Sequence, residues 1–137
     1  MRYHVRDRQD GSGQARWGFE QLDVSLAATN MLLVRVLIGK VTNMQRLESI
    51  LQDIPVRQGD PAWNCVIWVK QALEKLQADG KAVGTSRLDW PRVRDAAMKY
   101  VQDNKDQHRF DGRAPQGKFD MKKAATFDLL EGREVIA

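Results

Sequence analysis

The sequence contains one cysteine and two histidines, and a cysteine–histidine pair would have to be built from these residues. Cys65 lies in the stretch Pro61-Ala62-Trp63-Asn64-Cys65-Val66-Ile67-Trp68-Val69-Lys70. Pro61 and Asn64 there mark the start of a helix. The first turn of a helix has N–H groups without intrahelical partners and carries the positive end of the macrodipole. Both favour a thiolate nucleophile, and the same N–H groups could hold an oxyanion. Such a nucleophile needs a base. His108 sits in the polar run Asp103-Asn104-Lys105-Asp106-Gln107-His108-Arg109-Phe110 and reads as a solvated surface residue. His4 sits between Tyr3 and Val5 on a segment with strand character, where alternation turns its side chain away from both neighbours. It is therefore the candidate base, although a structural strand histidine would fit the same position. The competing reading of Cys65 is a small apolar residue in a core, since cysteine is among the most buried residue types. Asn64, Trp63 and Trp68 flank the cysteine and are candidate substrate-binding residues, with core packing as the alternative for the tryptophans.

No second chemistry stands out. Gly11-Ser12-Gly13 lacks the helix and lysine that follow a phosphate loop. One cysteine and two distant histidines do not make a metal site, the carboxylates are scattered, and no cofactor is implied. With 22 Lys and Arg against 18 Asp and Glu, the charge is too balanced and too dispersed to argue for nucleic acid. The densest basic group, Lys118, Lys122 and Lys123 around Asp120, reads as a solvated surface, with a phosphate-binding patch as the sharper alternative. No apolar run approaches the roughly 20 residues of a membrane span, and the richest, Met31 to Ile38, is broken by Arg35. The N-terminus has no apolar signal segment, and a lone cysteine closes no internal disulfide. A reduced cytoplasmic setting is expected.

The elements that must position Cys65 follow from periodicity. The length of 137 residues suits one domain, with strands over 1–41, helices over 42–104 and a tail over 105–137. Arg2 to Arg6 and Arg16 to Val24 read as a hairpin around Gln9-Asp10-Gly11-Ser12-Gly13-Gln14, and Ala27 to Asn30 as a bend. Met31 to Val41, apolar on both faces, predicts a central strand. Met44, Leu47, Ile50, Leu51 and Ile54 have helical spacing behind a capping box at Thr42 and Gln45. A second helix begins at Asp60 or at Trp63–Asn64, carries Val66, Val69, Leu73 and Leu76 on its buried face, and closes at Gly80. Asp89 caps a third, with Val93, Ala96, Ala97, Tyr100 and Val101 as its stripe. Phe127, Leu129 and Leu130 would dock the tail on the body.

The order of Tyr3-His4-Val5, Trp17-Gly18-Phe19-Glu20, an apolar strand and then Asn64-Cys65 on a helix resembles that of permuted papain-like proteins, such as the PPPDE peptidases and the lecithin:retinol acyltransferase relatives. More closely, Met31 to Val41, Asp60 to Ser86 and the run from Arg109 to Ile136 resemble an uncharacterised fungal family of small intracellular proteins. That resemblance covers nearly the whole chain. Its members usually begin one strand earlier, with a histidine on that strand that is the better base. The resemblance then carries over Cys65 alone, His4 becomes a substitute base, and an exposed sheet edge is left for pairing with a second copy.

The expected fold is α+β, a small, mostly antiparallel sheet packed against about three helices, of permuted papain-like type. The expected function is a cysteine-dependent hydrolase or acyl transferase acting on an acyl or peptide substrate, impaired if the base is lost. The alternatives are a non-catalytic protein that binds a small molecule or a partner, and an accessory cyclase of fungal secondary metabolism. Neither nucleic acid nor membrane is expected as a partner; a homodimer through the exposed edge is.

Overall fold

The computed structural model describes every residue of the chain except Leu26, Ala28 and Asn30, so the expected bend over 27–30 lies partly outside the described residues. In chain order the elements are β1 (Arg2–Gln9), β2 (Ala15–Leu22), β3 (Val34–Leu37), β4 (Gly39–Val41), α1 (Met44–Gln52), α2 (Cys65–Asp79), β5 (Val83–Ser86), α3 (Trp90–Asp106), β6 (Ala125–Asp128) and β7 (Arg133–Ile136). Among the described residues this is an α+β mix with three helices. In place of the single expected sheet, the strands form three small ones, ordered β1-β2, β3-β6-β7 and β4-β5. The chain falls into two compact units, Met1–Val24 with Val41–Gly84 and Ser25–Lys40 with Thr85–Ala137.

In the first unit, β1 and β2 form the expected antiparallel hairpin, with His4 opposite Glu20 and Val5 opposite Phe19. Its turn is closed by Asp10, whose Oδ1 accepts from the N–H groups of Ser12 at 2.8 Å and Gln14 at 3.2 Å. Gly13, with φ 80°, supplies the left-handed residue. Asn43 caps α1 by accepting from the Arg46 N–H at 3.0 Å. The capping box expected at Thr42 is absent because the Thr42 hydroxyl donates instead to the Lys81 carbonyl at 2.9 Å. A threonine and an asparagine side by side are both competent caps, and this tie decides between them. Arg46 also donates through Nε to Asp79 Oδ1 at 2.6 Å. That bond and those from the Ala82 and Lys81 N–H groups hold the Asp79 carboxyl well below the usual carboxylate range.

Helix α2 starts at the Asn64 cap and ends at Gly80, whose φ of 65° lets its N–H return to the Leu76 carbonyl. Its buried face is rotated from the expected one: Trp68, Ala72, Leu73 and Leu76 are inside, whereas Val66 and Val69 are exposed. The indole of Trp68 sets the rotation. It packs on Phe19 with ring centres 5.9 Å apart, and an indole buries far more apolar area than a valine.

In the second unit, β3 pairs parallel with β6 and β6 pairs antiparallel with β7. The strand expected over 31–41 is thus split, and its first half lies at an edge among the described residues. An apolar pattern on both faces reports what covers a strand above and below; it does not count hydrogen-bonded neighbours. The middle position belongs to β6, from the segment expected to dock as a tail. Asp89 caps α3 by accepting from the Arg92 N–H at 3.2 Å. Its Tyr100 packs on Phe127 of β6 at 5.5 Å between ring centres, and its hydroxyl donates to Glu134 Oε2 at 2.5 Å.

Candidate functional site

Cys65 is the first residue of α2 and is exposed. The cap before it is spent on the helix: Asn64 Oδ1 accepts from the N–H groups of Val66 at 3.0 Å and Ile67 at 3.1 Å. Those are the first-turn donors that would otherwise be free for an oxyanion. Trp63 and Trp68, expected beside a substrate, are core residues of the first unit at 4% and 3% exposure. Trp63 meets Trp17 edge-on, with ring centres 5.6 Å apart. Both indole N–H groups are buried without an acceptor among the described residues.

His4 is turned the other way. Tyr3 donates its hydroxyl to Glu48 of α1 at 2.6 Å, Val5 is buried, and Phe19 and Trp17 carry the two tryptophans just described. These side chains share the helix-facing side of the hairpin. Alternation puts His4, Arg6, Arg8 and Glu20 on the opposite side. There His4 Nε2 lies 2.8 Å from Glu20 Oε2, and the same carboxylate takes the Arg8 guanidinium and approaches that of Arg6 at 3.7 Å. Burial, and then Arg2, Arg6 and Arg8, push the His4 imidazole below its ordinary pKa. The structure therefore does not bring His4 to Cys65. His108 is bonded through Nδ1 to Asp111 at 2.8 Å. Among the described residues, no hydrogen bond joins Cys65 to the His4 imidazole.

The second unit holds an arrangement that sequence reasoning missed. Helix α3 ends without a glycine. The N–H of His108 returns to the Lys105 carbonyl at 2.9 Å and that of Arg109 to the Asn104 carbonyl at 3.0 Å, the two bonds of a Schellman stop. His108 takes the left-handed position, with φ 61°, which histidine tolerates better than most residues. This turn drives Arg109 inward, to 4% exposure. Its Nη2 donates to the carbonyls of Asp120 at 3.2 Å and Lys123 at 3.1 Å, and its guanidinium carbon stands 4.8 Å from the centre of the Phe119 ring.

Among the described residues, Nη1 of Arg109 is buried without an acceptor. Arg109 lines a cavity of about 300 Å³ together with Leu32, Leu33, Phe110, Met121 and Lys123. It shares Arg109, Phe110 and Met121 with a neighbouring cavity of about 330 Å³. Lys123 belongs to the basic group around Asp120; the burial of Arg109 has no signature in hydropathy, and the missing glycine hides the helix stop that causes it.

No curated protein and no solved structure matches the chain. The model of one family matches residues 1–136, and the chain belongs to that family, the family of unknown function DUF6914.

Proposed function

We propose that this chain is a binding protein without covalent catalysis, and that it takes a small molecule into the cavity beside Arg109 in its second unit. The observation that carries this reading is the cavity of about 300 Å³ walled by Leu32, Leu33, Phe110 and Met121, with Arg109 and Lys123 as its cationic lining. Concave, largely apolar sites with a few polar groups in their walls are where small molecules bind. The separation of His4 from Cys65 supports the same choice, because it removes the base on which the hydrolase reading depends. In the test, the amide NMR spectrum is followed while a library of small fragments is added. Shifts confined to residues lining the cavity, among them Leu32, Phe110, Met121 and Ala124, are expected. A library that perturbs only the hairpin and the start of α2 would refute the assignment.

The second reading is a cysteine-dependent hydrolase or acyl transferase of permuted papain-like type in a cytoplasmic fungal setting. What favours it is the exposure of Cys65 at the first position of a capped helix. It requires a base other than the His4 imidazole in its described position. Acylation of Cys65 by an activated ester, detected as a mass increase and lost in Cys65→Ser, would bring this reading to the front.

A further inference from the structure

We infer that the open edge of β1 takes an acidic strand from another protein, an extended segment with carboxylates at alternate positions that adds to the hairpin. This surface lies wholly within the first unit and is independent of the cavity in the second. The backbone comes first. Gln58 closes the far edge of the hairpin at Trp17: its Oε1 accepts from the Trp17 N–H at 2.8 Å, and its Nε2 donates to the Trp17 carbonyl at 2.6 Å. Both backbone groups of Trp17 therefore point away from β1. Residues opposite each other in an antiparallel pair either exchange both bonds or turn both groups outward. Asp7, opposite Trp17, must turn its own groups outward, and by period two so must Val5 and Tyr3. Among the described residues, none of these N–H or C=O groups has a partner. An unpaired edge of this kind is a template for a further strand.

Charge selects which strand. Arg2, His4, Arg6 and Arg8 stand at alternate positions on the face of β1 turned from the helices, and Arg16 lies opposite Arg8. The side chains of Arg6 and Arg8 are 51% and 59% exposed, and both look to the same Glu20. For an antiparallel strand arriving at this edge, Arg2, His4, Arg6 and Arg8 occupy the positions without hydrogen bonds, where facing side chains approach most closely. Cations brought there are repelled, whereas carboxylates form ion pairs, and a guanidinium takes a carboxylate through two parallel bonds. Nucleic acid fits this face less well. The hairpin's Tyr3, Trp17 and Phe19 all point to the helices, so bases would find no Tyr, Trp or Phe of the hairpin to stack on.

The probe is the peptide acetyl-Glu-Thr-Glu-Val-Glu-Thr-Glu-amide, titrated into the full chain at low ionic strength. Laid antiparallel, it sets Glu opposite Arg8, Arg6, His4 and Arg2. Saturable amide NMR shifts along β1 are expected by about 1 mM peptide, with slowed hydrogen exchange at Tyr3, Val5 and Asp7, whose N–H groups meet the incoming strand. Arg6→Gln changes an exposed side chain and should weaken binding about twofold to fivefold. The same peptide with Lys in place of Glu should not bind. A version N-methylated at Val and both Thr keeps every charge but loses the N–H groups that would meet β1, and it should not bind either. Equal binding of that version, or unchanged exchange at Tyr3, Val5 and Asp7, would overturn strand addition and leave only a diffuse charge attraction. A short oligothymidylate that binds more tightly than the peptide would overturn it in favour of nucleic acid. The absence of any saturable shift with the peptide would also overturn it, leaving the arginines as a guard against self-pairing alone.

Discussion

His4 and Glu20 face each other across the β1–β2 hairpin, with Nε2 2.8 Å from Oε2. A carboxylate only accepts hydrogen bonds, so the bond needs the proton on Nε2, and the neutral imidazole can supply it. The folded His4 holds its charging proton less readily than the ordinary value of 6.5 would allow, through burial and through Arg2, Arg6 and Arg8. Between that depressed value and 6.5 the unfolded chain binds more protons than the folded one, so stability rises with pH through the window. Acidification from pH 7 should therefore withdraw stability until the folded imidazole is itself protonated. An NMR titration of the ring protons should place His4 below 6.5, and Glu20→Gln, which leaves the arginines uncompensated, should move it lower still. A midpoint above 6.5 would contradict the environment described.

The two tyrosines of the chain should titrate late. Burial and the bond to Glu48 raise Tyr3 to about 12; burial and the bond to Glu134 raise Tyr100 as well. Both phenols stay neutral in the fold after the unfolded chain has begun to ionise near ~10. Their contribution to stability is thus full below about pH 10 and is lost as pH rises beyond it. Absorbance of tyrosinate should remain low at pH 10.5 in native buffer and be largely developed there in concentrated urea. Equal curves in the two solvents would refute the two hydrogen bonds.

The start of α2 separates a structural role from a chemical one. Asn64→Ala removes the acceptor of two backbone N–H groups and should cost about 1 kcal/mol in urea unfolding. Cys65 is exposed, so a thiol reagent should modify it to completion in the native protein at neutral pH. Modification only in denaturant would mean that the helix start is covered.

The helix stop at His108 gives an ordering. Its φ of 61° costs a residue with a Cβ roughly 1–2 kcal/mol, and a β-branched one more. His108→Gly removes that cost and forfeits the exposed bond to Asp111, so its urea midpoint should equal or exceed that of the natural chain. His108→Val should lower it. The reverse order would show that α3 ends otherwise than by this turn.

Those elements were legible whose signals are local. Alternation at Trp17 and Phe19 around a glycine-rich turn marked the hairpin, and Asn64, Gly80 and Asp89 marked helix ends by hydrogen bonds that close within a few residues. What was not legible depends on distant partners. Thr42 lost the cap because of a carbonyl at Lys81. The face of α2 was chosen by Trp68 meeting Phe19. Strand β6, only four residues long, joined β3 across some ninety positions of sequence. For the site, the pattern put Cys65 at a helix start and left open whether it was buried, while the partner assigned to it sits on the opposite face of the hairpin. Arg109 was passed over because a charged residue in a polar run gives no sign of burial, and its inward turn rests on a left-handed histidine instead of a glycine.

The hairpin also bears on assembly. A second copy pairing along the edge of β1 would run antiparallel about a two-fold axis. In such a pairing, residues directly opposite each other share a face, so the face that carries Arg2, His4, Arg6 and Arg8 would meet its own image. Every register on that face sets at least one cation against another cation or against an imidazole, and like charges directly opposite are destabilising. Glu20 is the one carboxylate on this side of the hairpin, and its oxygens are already engaged by His4 and Arg8. Basic side chains along an edge are a known guard against strand pairing. The dimer expected from an exposed edge is therefore opposed by the side chains that line it. Light scattering at low ionic strength should give a mass near 15.7 kDa that does not change with concentration. Since salt screens the repulsion, any self-association should emerge only as salt is raised. A dimer that is strongest at low salt would require a different surface and would overturn the argument from the arginines.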